Sequence, residues 1–414
     1  MMQRPPLLYL AHRIPFPPNK GDKVRSFNIL RHLSSRYRVY LASFYDMPED
    51  RRHLGALDEW CQASCVEYLR PRAARIASLR GLLAGEALTL PYYRSARLAD
   101  WVREQVATHR IKRAVVFSGA MAQYLEGLDV ERCVIDFCDV DSAKWSQYAD
   151  DRQWPMSWLY RREGRRLGEF ERDWAARADA CTFVTAAERA LFLSAGTVPA
   201  GQVHVIENGV DTGYFDPATA GRDPYPPGRP TIVFSGAMDY WPNVDGACWF
   251  ATEILPLIRR RRPDAAFVVV GMNPTSAVSA LAQPGVVEVT GTVPDVRPFV
   301  AHADVVVAPL RVARGIQNKV LEAMSLGRPV VVSDAAATGL RATEGSEFRA
   351  AGDAAGFAER VLELLDPARG NAVGEAARRR VLADYAWQAH LATLDDLLEG
   401  VEAPTMGSAA GAGG

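Results

Sequence analysis

The chain has 414 residues, with 48 basic side chains against 49 acidic ones and 48% hydrophobic content. That length suggests two or three domains, and the composition excludes a disordered chain, a collagen-like repeat and a supercharged nucleic-acid binder. Its apolar runs, such as Val305–Pro309 and Val330–Val332, fall far short of the roughly 18 residues of a spanning helix. In the first half, short β-branched runs predict strands at Leu7–Ala11, Val39–Ser43, Val66–Leu69, Ala114–Phe117, Cys133–Phe137, Ala180–Val184 and Val203–Ile206. Amphipathic stretches between them predict helices, among them Asp22–Ser35, Ala96–Thr108 and Leu159–Ala178. A dense Pro/Gly stretch, 216–230, cannot continue a helix or a sheet and reads as a linker. The alternation then restarts, with strands at Thr231–Ser235, Ala265–Val270, Val286–Thr290, Asp304–Ala308 and Val330–Ser333. Helices are predicted at Gly246–Arg260, Asn318–Leu326, Ala354–Leu364, Gly374–Leu382 and Gln388–Leu398, before a Gly/Ala-rich tail at 403–414 that reads as disordered.

Strands alternating with helices imply an α/β protein of two tandem Rossmann-like, doubly wound domains with an interdomain cleft as the ligand site. The expected boundaries are 1–215, the linker 216–230, a second domain over 231–384 and a helix over 385–402 that packs back on the first domain. The net charge is +5 over residues 1–210 and −6 over 211–414. A basic first half could attract phosphates or an anionic membrane, and chance scatter accounts for it equally well. Cys61, Cys65, Cys133, Cys138, Cys181 and Cys248 lack C-x-x-C spacing. They read as reduced thiols of a cytosolic protein, and nothing in Met1–Ala11 reads as a signal peptide.

The most informative segment is Pro309–Ser333, PLRVARGIQNKVLEAMSLGRPVVVS. A buried strand leads through a loop with Gly315 into a helix that starts near Gln317–Lys319. The free N–H groups of such a start favour an anion. Lys319 in that first turn opposes the helix dipole unless an anion lies between them. The chain holds only five lysines against 43 arginines, which makes a lysine by drift less expected here. Glu322 follows among Val320, Leu321, Ala323 and Met324, so its carboxylate needs partners, either ribose hydroxyls or an internal ion pair. In the first half, Lys20, Gly21, Asp22, Lys23 and Arg25 lie between the first strand and its helix, where phosphates bind in such sheets.

These motifs resemble the retaining glycosyltransferases of the GT-B fold, family-4-like. The likeness rests on Gly315, Lys319, Glu322-Ala323-Met324 and Gly327-Arg328-Pro329-Val330-Val331. It extends to Asn208-Gly209-Val210-Asp211, Phe234-Ser235-Gly236 and Thr290-Gly291-Thr292-Val293. A narrower likeness, through HRIPFPPNKGDKVRS, DFCDVDSAKW and GAMDYWPNVDGACWF, is to sugar transferases of PEP-CTERM/exosortase systems, which accompany bacterial exopolysaccharide clusters. The resemblance implies a nucleotide-sugar donor held by Gly236, Gly315, Ile316, Gln317, Asn318, Lys319 and Glu322. It implies a glycan or lipid-linked acceptor, retention of configuration, a cytoplasmic enzyme and no cofactor or metal. Three departures stand out. Arg314 occupies the place of a loop Glu, Met238–Asn243 offers no basic pair, and Asp139 stands where many members carry a His. Lys319, Arg314 and Asp139 are therefore the expected catalytic residues.

Asp139-Val140-Asp141 has the Asp-x-Asp spacing of a metal site, but its neighbour Ser142 also suits a helix cap. Arg70–Leu83 and Trp154–Leu167 mix arginines with large apolar side chains, as interfacial helices do, and as ordinary surface helices also can. A UDP-sugar 2-epimerase of the same fold and a non-catalytic nucleotide-sugar-binding protein are the other readings of the whole chain.

Overall fold

A computed structural model describes residues 4–18, 21–150, 153–196, 198–313 and 316–401. Lys20, Arg314, Gly315 and the tail 403–414 lie outside these described residues. The chain falls into two units, one formed by Met1–Asn208 with the chain from His390 onward, the other by Gly209–Ala389.

The first unit is built on seven parallel strands: β1 (Pro6–Ala11), β2 (Arg38–Tyr45), β3 (Cys61–Tyr68), β4 (Arg113–Phe117), β5 (Arg132–Cys138), β6 (Ala180–Phe183) and β7 (Val203–Val205). Their order is β3-β2-β1-β4-β5-β6-β7. Leu8 lies opposite Tyr40 on one side and Ala114 on the other, so β1 is fully interior. Helices cover both faces of such a sheet, which is why Leu7–Ala11 is an unbroken apolar run rather than an alternating one. β3 begins at Cys61, earlier than its sequence suggests. It is an edge strand with only two of its eight positions buried, so its apolar signal is weak.

Six parallel strands build the second unit: β8 (Thr231–Ser235), β9 (Ala266–Val270), β10 (Val287–Gly291), β11 (Val305–Ala308), β12 (Val330–Ser333) and β13 (Arg349–Ala351). Their order is β10-β9-β8-β11-β12-β13. In both sheets the order reverses at the first strand, the doubly wound pattern expected from the sequence. β13 was not predicted: it is a three-residue edge strand without a β-branched residue. Phe234, Phe250, Phe267 and Phe357 lie in this unit's core. Between the helices Trp241–Trp249 and Leu255–Arg261 runs a π-helical turn, Phe250–Ile254. Pro256 explains it, since a proline cannot donate an N–H and its ring crowds the carbonyl one turn back. The stretch 216–230, expected as a linker, lies inside the second unit, where Tyr225 Oη donates to Phe299 O at 2.7 Å.

Candidate active site

In the second unit, β8 is paired with β9 on one side and β11 on the other. The loops after β8 and β11 therefore leave in opposite directions and open a crevice at the carboxyl ends of the strands. Gly236 follows β8 and its N–H donates to Val270 O at 3.0 Å. A Cβ on the adjacent Gly271 would lie 1.6 Å from Gly236 O, so the two turns pass too closely for any side chain. After β11 comes the helix Asn318–Ser325, whose start no side chain of the described residues caps. The Val320 N–H turns back to Gln317 O at 2.9 Å, and no side chain of the described residues competes with an anion for the rest of that start.

Lys319 is aimed at the Gly236 turn. Its Nζ donates to Asn243 Oδ1 and lies 4.6 Å from the Phe234 ring centroid, within cation–π reach. Asn243 is buried, and its amide Nδ2 donates to Ala237 O at 2.8 Å, so the acceptor that holds Lys319 is itself fixed. A Cβ at Gly236 would come within 2.9 Å of Lys319 Nζ. The missing side chain leaves the ammonium room beside the strand end. Burial lowers the Lys319 pKa to about 8, against the pull of Glu322. Burial likewise raises Glu322 to about 7, against the pull of Lys319. The cation, the helix start and the glycine turn converge where a phosphate could bind.

The first unit carries a cavity of about 810 Å³ lined by His12, Asp22, Tyr93, Ser118, Cys138 and Asp139, among others. It opens at the carboxyl ends of β1, β4 and β5. His12 immediately follows β1, stacks on Phe117 at 5.6 Å between centroids and places Nε2 3.4 Å from Asp22 Oδ2. Burial pushes the Asp22 carboxyl up, but His12 and Arg13 outweigh it and hold the group well below the usual carboxylate range. Ser118 and Cys138 stand at φ 74° and 66°, in the left-handed region that side chains avoid. Such strain costs about 1–3 kcal/mol per residue and tends to sit at functional sites. Here the Ser118 N–H donates to Asp136 O at 2.9 Å and the Cys138 N–H to Asp136 Oδ1 at 3.2 Å, which fixes both turns.

The sequence-predicted residues separate into three groups. Gly236, Lys319 and Glu322 lie at the crevice of the second unit, with Ile316, Gln317 and Asn318 leading into its helix. Gly21, Asp22, Arg25 and Asp139 line the first unit's cavity. Lys23 is the correction: only 1% exposed, it donates to Asp50 Oδ1 and Oδ2 at 2.9 and 2.8 Å. Its charge is paired inside the unit, and it is absent from the residues that line the cavity. Arg25 is also committed, donating to Asp136 at 2.7 and 3.1 Å and to Asn208 Oδ1 at 3.0 Å. Asp139 and Asp141 share the ammonium of Lys144, at 2.8 and 3.1 Å. The sequence reading missed His12, Lys144 and Asn243. The first could have been found by its place directly after β1, at the switch point of the sheet.

A family profile described as "Glycosyl transferases group 1" matches residues 229–367. A GDP-mannose-dependent alpha-(1-6)-phosphatidylinositol monomannoside mannosyltransferase of Mycobacterium tuberculosis is 32% identical over 288 residues, 62% of this chain and 69% of the relative. An alpha-maltose-1-phosphate synthase of Mycolicibacterium smegmatis is 31% identical over 253 residues, 51% of this chain and 62% of that protein. Among solved structures, sucrose-phosphate synthase from Thermosynechococcus elongatus is similar at a TM-score of 0.63 and 17% identity, covering 96% of this chain and 99% of the other. The Anabaena protein HepE, in complex with UDP, is similar at 0.62 and 14%, covering 96% and 100%.

Proposed function

The chain belongs to the glycosyl transferases group 1 and is a glycosyltransferase, and on that premise we propose that it moves a sugar from a nucleotide-sugar to a glycan or lipid-linked acceptor. The second unit binds the donor and the first unit's cavity binds the acceptor. The observation that carries this reading is the placement of Lys319, an ammonium held by Asn243 over Phe234 beside an uncapped helix start. When the glycosidic bond breaks, negative charge gathers on the departing diphosphate. Fixed positive groups aimed at that spot stabilise the transition state more than the bound donor. Glu322 accepts the ribose hydroxyls, and transfer proceeds with retention. The mannosyltransferase relative, named for a GDP-sugar and a phosphatidylinositol-based acceptor, supports a nucleotide-sugar and a lipid-borne acceptor. The product belongs to bacterial exopolysaccharide assembly, at the cytoplasmic face of the membrane.

The test is transfer of radiolabelled sugar from UDP-, GDP- and ADP-sugars to a lipid-linked acceptor by the purified full chain. Label on the acceptor supports the reading; release of an epimerised sugar without transfer sinks it. The reaction also needs no divalent cation on this reading, because Asp139 and Asp141 already share the ammonium of Lys144, which offsets one of their two charges. Transfer should survive EDTA, and loss of activity restored by Mn²⁺ would assign those two carboxylates to a metal.

The Lys319–Glu322 pair sets a pH dependence. Glu322 must be ionised to accept ribose hydroxyls, and Lys319 must be protonated to hold phosphate. With the pair poised at about 7 and about 8, kcat/KM should rise through the first value and fall through the second. Glu322→Gln should weaken nucleotide binding and abolish the acidic limb. An unchanged acidic limb in that variant would place the ionisation on another residue.

A further inference from the structure

We propose that the first unit docks on an anionic lipid bilayer through the rim of its cavity and takes its acceptor from that surface. The acceptor half of this inference rests on the function proposed above; the docking half does not. The helix Pro71–Ser78 and Leu79 form one side of the rim, and the helix Arg80–Ala84 continues directly from them. Ile76 is 72% exposed, Leu79 50% and Leu83 95%, with Arg72, Arg75 and Arg80 exposed among them. The other side is the start of the helix Met156–Arg177 and the turn before it. There Trp154 is 80% exposed and Trp158 54%, beside exposed Arg161 and Arg165.

The two sides belong to one surface. Arg162, in the helix Met156–Arg177, donates to Gly81 O at 2.9 Å and Glu86 O at 3.0 Å, tying it to the chain around Arg80–Ala84. Both sides also furnish the cavity wall, Arg75 and Leu79 from one and Leu159 and Tyr160 from the other. Leaving several large apolar side chains in water forfeits the free energy that their burial would release. Arginines interleaved with tryptophans and aliphatic residues match the headgroup region of an anionic bilayer in both charge and polarity. A lipid-borne acceptor would then reach the cavity without leaving the bilayer.

The test is co-sedimentation of the full chain with vesicles of phosphatidylglycerol and phosphatidylcholine in equal parts, against phosphatidylcholine alone. Binding should favour the anionic vesicles and weaken as salt rises. The variant carrying Ile76→Ser, Leu83→Glu and Trp154→Ala alters only exposed side chains. It should keep its melting temperature and nucleotide affinity while its partitioning to anionic vesicles falls by about tenfold or more. Equal pelleting with neutral and anionic vesicles, or undiminished binding of the triple variant, overturns the proposal. Docking without any sugar transfer would remove the function proposed above and leave the docking standing. Transfer to an acceptor in detergent without docking would do the reverse.

Discussion

Lys319→Ala should lower kcat by about 10²–10³, the usual effect of removing one preorganised electrostatic stabiliser, with a smaller change in KM. The size follows from the geometry. Asn243 and Phe234 hold the ammonium in place before any donor arrives, so little reorganisation is spent at the moment of bond breaking. An arriving diphosphate draws the Lys319 pKa upward from about 8, which secures the charge when it is needed. Lys319→Arg should rescue only in part, because a planar fork cannot take the place of a point charge packed beside the Gly236 turn. Steady-state kinetics on the two variants, with a melting curve as control, decides the matter. A kcat for Lys319→Ala within a few-fold of the unmodified chain would mean that the phosphates are neutralised elsewhere.

The second large effect is on stability. Lys23→Ala leaves the Asp50 carboxylate, 3% exposed, without its cation. Removing one partner of a buried pair costs about 3–5 kcal/mol, because the remaining charge must stay dehydrated or take up a proton. Chemical unfolding should therefore show a marked loss in the variant, while nucleotide affinity is retained. Replacing both partners, as Lys23→Met with Asp50→Leu, should restore most of the loss, since apolar groups of similar volume carry no dehydration penalty. Unchanged stability together with weakened phosphate binding in Lys23→Ala would return this residue to the ligand side.

These two lysines also show how far a sequence can be read. Both sit at the start of a helix that follows a parallel strand, and both suggested phosphate contact for that reason. What separates them is the company each keeps. Lys319 meets Asn243 from the helix Trp241–Trp249 after β8, and Lys23 meets Asp50 from the helical segment Pro48–Glu59 after β2. Neither partner is close in sequence, so local pattern cannot tell an outward cation from an inward one. The strands were easier. Val305–Ala308 is buried on both faces and reads as an uninterrupted apolar run, whereas Arg349–Ala351 is a short edge strand and carries no such signal. The cavity of the first unit was the least legible feature. Its wall draws on segments from His12 to Asn208, and the stretches that the sequence singles out among them, Gly21–Arg25, Arg70–Leu83, Asp139–Asp141 and Trp154–Leu167, carry no sign in the sequence that they meet at one cavity.

The last helix, Trp387–Glu399, begins in the second unit and from His390 belongs to the first. There Asp395 accepts from His32 at 3.0 Å and from Arg36, and Leu397 O accepts from Arg132 at 2.8 Å. The first unit is therefore discontinuous in the gene. A fragment ending at Asn208 would lack these partners for the helix Gly21–Arg36 and for β5, and cutting the chain in two cannot yield both units whole. Separate study of the first unit calls for a fusion in which a short designed linker joins Asn208 directly to His390, or for a peptide spanning the last helix supplied in trans.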